Sequence, residues 1–98
     1  MVDIFMKMED IKRKALPILR KHHAIRAGVF GSAAAGGMKR GSDVDILVEI
    51  RQKISLLDFI GIEQELEAAL GKKVDLVEYQ SVHPLLKKHI LGGEVRIL

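Results

Sequence analysis

The sequence predicts an α/β (α+β) fold: one sheet with helices packed on it, in a single small domain covering residues 1–98. Three observations carry this. Helical and strand-like segments alternate along the chain as α-β-(short α)-β-α-β-α, with room for a last strand. Two segments, DVDILVEI at 43–50 and KVDLVEY at 73–79, are dense in β-branched residues. And 98 residues leave space for one core and no second one.

The elements follow in order. Residues 9–23 set Ile11, Ala15, Ile18 and Leu19 near one helical face, with Lys12, Arg13, Lys14, Arg20 and Lys21 elsewhere on the surface. Pro17 interrupts that pattern, predicting a kink or the first turn of a shorter helix. Residues 25–30 read as a short strand ending at Gly31. Residues 32–35 read as a helical turn or two, capped by Ser32 and stopped at Gly36-Gly37, and 38–42 as a loop. The strand at 43–50 is apolar on both faces, which predicts cover on both sides. Ser55, with Asp58 three positions on, opens a helix whose inner line is Leu56, Phe59, Ile62 or Glu63, Leu66 and Leu70, closed by Gly71. A third strand at 73–79 precedes a short helix at 82–91 with Pro84 in its first turn. Gly92-Gly93 breaks it, and EVRIL supplies an edge strand.

Composition sets bounds. A hydrophobic share of 48% and a charged share of 30% describe an ordinary soluble chain, expected in the cytoplasm. The absence of cysteine excludes disulfides, thiolate metal sites and a cysteine nucleophile. No apolar run approaches the roughly 20 residues that span a bilayer, so no membrane association is expected. A core this small gains from a partner or from a homo-oligomer. The net charge of +3 is mild, and no aromatic residues interleave with the basic first helix. Its lysines and arginines therefore read as a solvated face, and nucleic acid is not expected as a partner.

The chemistry concentrates in GVFGSAAAGGMKRGSDVDILVEI, residues 28–50. Gly31 at a strand end lets a ligand approach the backbone, and Ser32 opens a turn whose free N–H groups suit a phosphate. Asp43 and Asp45, two apart on a strand, present carboxylates to one face. Inside an apolar run such a pair repels unless a cation lies between, and hard oxygens on a rigid strand suit Mg²⁺. Asp75, flanked by Val74 and Leu76, offers a third carboxylate if its strand pairs beside the first. Three carboxylates suffice for two ions and for deprotonating a hydroxyl. Glu49 and Glu78, nearer strand ends, read as solvated. A P-loop is excluded because Ser42-Asp43 follows Gly36–Gly41 where Lys and Ser or Thr are needed, and no G-x-G-x-x-G follows a strand. His22, His23, His83 and His89 show no ligand spacing and are expected at the surface or in caps.

Gly31-Ser32, ten residues, then Asp43-Val44-Asp45 resembles the signature of the nucleotidyltransferase superfamily that includes DNA polymerase beta. Phe30 before the glycine, the SDVDILV run and the later VDLV strand match as well. The length resembles the minimal nucleotidyltransferases of bacteria and archaea, and the likeness runs from the first helix through VHPLLKKHIL. The resemblance implies a mixed β-sheet flanked by helices. It implies a nucleotide triphosphate, ATP or another NTP, gripped at Gly31 and Ser32. Asp43, Asp45 and Asp75 would be its catalytic metal ligands, with two Mg²⁺ ions. Members of this group are commonly antitoxins paired with HEPN-type ribonuclease toxins, and resemble enzymes that move AMP from ATP to a toxin tyrosine. Where relatives read G-S-R-A-R-G this chain has Ala33 and Ala35, so Lys39 and Arg40 are expected to neutralise phosphate charge instead. The alternative is a catalytically weak or inactive antitoxin that neutralises a toxin by direct contact.

Overall fold

The computed structural model describes residues 7–31 and 43–98. The expectations for Ser32, Ala33, Ala35, the glycine stop, Lys39, Arg40 and the loop to Ser42 lie outside the described residues.

Helix α1 (Met8–Lys21) buries Ile11, Ala15 and Leu19, four residues apart and thus one narrow stripe. It continues through Pro17, whose side is solvent-facing, so the reading of a shorter helix starting there does not hold. The helix ends at Lys21, short of the expected residue 23, with His22 as its C-cap. His23 takes φ 65°, and its carbonyl receives the Arg51 N–H at 3.0 Å, turning the chain into the sheet.

Strands β1 (Ala24–Phe30) and β2 (Val44–Ile50) are antiparallel, with Phe30 opposite Asp45. Helix α2 (Leu56–Leu70) starts at Ser55, whose hydroxyl accepts the Asp58 N–H at 3.1 Å, and closes at Gly71 in the left-handed conformation. It provides the crossover that a parallel pairing requires. Strand β3 (Val74–Glu78) accordingly lies parallel to β2. A one-turn 3₁₀ helix (Tyr79–Ser81), α3 (Pro84–Gly92) and β4 (Val95–Arg96) complete the described chain. The mixed sheet has the order β3-β2-β1-β4, with β4 antiparallel to β1. Tyr79, expected to end the third strand, belongs to the 3₁₀ turn. The last helix spans 84–92 rather than 82–91, with His83 as its cap, accepting the Leu85 N–H at 3.1 Å.

The core is the layer between one sheet face and the two long helices. Ile11, Ala15 and Leu19 from α1 and Ile62, Leu66 and Leu70 from α2 meet Ala27, Val29, Val44, Ile46, Val48, Val74, Leu76 and Ile97. Leu56, expected on the inner line of α2, is 73% exposed, so the buried stripe starts only at Ile62. Glu63 is not on it either. Its carboxylate accepts the Leu76 N–H at 3.0 Å, as Glu67 accepts that of Val74 at 2.9 Å. Two glutamates one helical turn apart thus hold the outer edge of β3 and fix the height at which it pairs. Cover on both sides of β2 is only partly realised: Leu47 is fully buried on the second face, but Asp45 and Glu49 beside it are half-buried. No helix among the described residues is long and apolar enough to cross a membrane.

Candidate active site

Strand direction brings the expected acids together. β2 and β3 run the same way and β1 the opposite way, so the end of β1 and the starts of β2 and β3 share one pole of the sheet. Asp45 pairs in register with Asp75 across the parallel strands, about 4.8 Å apart between backbones. Val44 and Ile46 point into the core, so the Asp45 carboxylate lies on the other face. Asp43 stands exposed just before β2, and Asp75 is exposed on β3.

The electrostatics follow from that placement. Burial pushes the Asp45 carboxyl above its ordinary range, and the charges of Asp75 and Asp43 push it further. Gly31 follows β1 at φ 71°, a conformation that favours glycine, and a Cβ there would collide with the Asp45 carboxylate. The strand end is therefore pared to backbone where a ligand would meet the acids.

Mg²⁺ fits this donor set. The oxygens are hard, two are on adjacent rigid strands, and the half-buried one is penalised for its charge. Among the described residues no three acidic, histidine or cysteine side chains form a ready metal cluster. An ion held here would complete its shell with substrate oxygens, as Mg²⁺ commonly does. Glu49 and Glu78 are half-buried rather than solvated, and Glu78 accepts the Gln80 amide at 2.7 Å. His22 bonds through Nε2 to Glu65 at 2.9 Å, alongside Lys21 at 2.7 Å, a bonding role the sequence reading did not assign.

A second polar cluster escaped the sequence entirely. Glu94, its side chain 6% exposed, accepts the Tyr79 hydroxyl, and Arg26 approaches its other oxygen at 3.9 Å. The Arg26 guanidinium also lies 4.0 Å over the centre of the Tyr79 ring. Gly28 makes room, since a Cβ there would overlap the Glu94 carboxylate. That glycine in mid-strand was the available signal, because an isolated strand glycine marks close approach by another group.

Comparison with known proteins agrees with this architecture. Residues 12–96 match the nucleotidyltransferase domain family. The chain is 50% identical over 93 residues to a candidate protein adenylyltransferase of Methanocaldococcus jannaschii, covering 95% of this chain and all of that one. It is 47% identical over 80 residues to the protein adenylyltransferase MntA of Thermococcus cleftensis, covering 81% of each. Among solved structures it is similar to a toxin–antitoxin crystal structure with AMP-PNP. That match has a TM-score of 0.79 and 26% identity, over 89% of this chain and 72% of that one. The likeness extends over nearly the whole chain and both acidic strands, and the protein is an enzyme of the nucleotidyltransferase domain family.

Proposed function

We propose that this protein transfers AMP from Mg-ATP to a hydroxyl of a partner protein, a tyrosine of a HEPN-type toxin, and so acts as its antitoxin. The observation that carries this is the in-register pair of Asp45 and Asp75, with Asp45 half-buried and its pKa raised by burial and by the neighbouring carboxylates. Asp43, Asp45 and Asp75 would hold the magnesium, which supplies charge neutralisation at the phosphates. Gly31, with Ser32, Lys39 and Arg40 from the segment that follows, would receive the triphosphate. The acceptor oxygen forms its bond to the α-phosphorus as the bond to the bridging oxygen breaks. Pyrophosphate leaves, and the hydroxyl proton passes to Asp75, the exposed member of the pair. The names of the relatives and the AMP-PNP in the similar toxin–antitoxin structure support the choice of adenylate and of partner.

The test is intact-mass spectrometry of a HEPN-type toxin partner after incubation with Mg-ATP. An AMP adduct that disappears with Asp45→Asn and Asp75→Asn is expected; an adduct that survives both changes sinks the assignment. A second reading, neutralisation by contact alone, draws on Ala33 and Ala35 where the resembling motif carries arginine. It requires that the doubly substituted protein still protect cells from the toxin.

A further inference from the structure

The large apolar side chains left exposed are not scattered. Among the described residues they are Ile25, Leu56, Leu57, Ile60, Leu85 and Leu86. Ile25 opens β1, and the others occupy the first turns of α2 and α3, which begin just beyond the ends of β2 and β3. All six therefore belong to the pole opposite Asp45 and Asp75. Leu57 is 81% exposed, a position in which a leucine contributes nothing to the fold.

Gly61 adds an independent observation. It sits inside α2, where glycine costs about 1 kcal/mol against alanine, yet a Cβ there would meet nothing within 4 Å. No packing among the described residues calls for it. One turn after Leu57, it lines a groove of about 390 Å³ that also reaches Ile54, His22 and His23. A helix face with a leucine, an isoleucine and a bare glycine suits another helix approaching closely. The surrounding charge selects the partner. Exposed Arg51 and Lys53 lead into α2, and exposed Lys87 and Lys88 follow the leucines of α3; the acids nearby are Asp58, Glu78 and Glu65, the last lining the groove and already bonded to Lys21 and His22. A second copy docked face to face would set these cations against one another, whereas an acidic surface would be attracted.

We infer that this pole is a docking surface for a partner protein that presents an apolar helix flanked by acidic side chains, seated along Leu57, Ile60 and Gly61. The partner is the toxin of the proposed reaction, and for that identity the inference rests on the preceding reading. The five residues of β2 beyond Asp45 separate the seat from the acidic pair by roughly 17 Å. The partner is held there while its acceptor hydroxyl reaches the other pole.

Calorimetric titration of the full chain with the HEPN-type toxin partner tests this. Gly61→Leu and Leu57→Glu should each weaken binding by about ten-fold or more. Gly61→Leu should leave the melting temperature unchanged or higher, since it improves helix propensity, so its loss of affinity is not unfolding. Arg51→Glu with Lys53→Glu should weaken binding and flatten its salt dependence. Asp45→Asn with Asp75→Asn should bind as the parent does. Binding through this pole without any nucleotide adduct would sink the transfer reading and leave the docking surface standing. An adduct formed while Leu57→Glu and Gly61→Leu bind with parent affinity would do the reverse. No binding of the toxin, or a dimer of this chain that Leu57→Glu dissolves in light scattering, would overturn the docking proposal.

Discussion

Glu94 and Asp45 occupy the same sheet face, the one turned away from α1 and α2, and the chain treats them in opposite ways. Glu94 is almost buried, yet the Tyr79 hydroxyl donates to it, Arg26 faces it, and Gly28 gives up a side chain to admit it. Asp45 is more open, yet burial raises its pKa and, among the described residues, two further carboxylates raise it more. A carboxylate answered from within is a structural part. One that faces its own kind among the described residues carries a raised pKa and is a candidate functional position. Both glycines of β1 and its end serve these acids, one making room for a settled charge and the other for an unsettled one.

Breaking each arrangement should separate the two kinds. Asp45→Asn should lower the rate of nucleotide transfer on the order of a thousand-fold, since it removes a proposed metal ligand. Its melting temperature should not fall, because it relieves repulsion rather than removing an attraction. Gly28→Val should do the opposite, costing roughly 3 kcal/mol in urea unfolding by driving Glu94 from its place. Glu94→Ala should cost roughly 2 kcal/mol, because it strands the Tyr79 hydroxyl and a partly exposed Arg26. Tyr79 in turn should titrate above its ordinary range in the parent, since burial and the bond to Glu94 both disfavour the phenolate. The smallest effect concerns pH. Folded Asp45 holds its proton more tightly than the unfolded chain does, so its contribution is most favourable at acid pH. It declines as pH rises through the ordinary carboxylate range to the raised value. Thermal melts without magnesium should show this decline, Asp45→Asn should lack it, and added Mg²⁺ at neutral pH should reverse it.

Much of this was readable from local pattern. VDILVEI and VDLVE declare strands through their β-branched residues, and Ser55 and Gly71 bound α2 through cap chemistry that depends on a few neighbours. Placing Asp45 opposite Asp75 needed only the expectation that two such strands pair side by side. Other features were not local. Arg26, Tyr79 and Glu94 come from three distant segments, and nothing in a lone glutamate after Gly92-Gly93 announces burial. Glu63 and Glu67 look like solvated helix residues until β3 is laid beside them. In LLDFIGIEQELEAAL apolar residues cover more than one face, so periodicity alone could not say that Ile62 would be buried and Leu56 exposed.

The paired glutamates of α2 have one more consequence. An unpaired row of backbone N–H groups on an edge strand invites a foreign strand to add to it, the first step toward fibrous aggregation. With Val74 and Leu76 already bonded to Glu67 and Glu63, β3 offers no such invitation along that stretch. The opposite edge is β4, only two residues long. Among the described residues the sheet has four strands, and its β3 edge is closed to strand addition along that stretch.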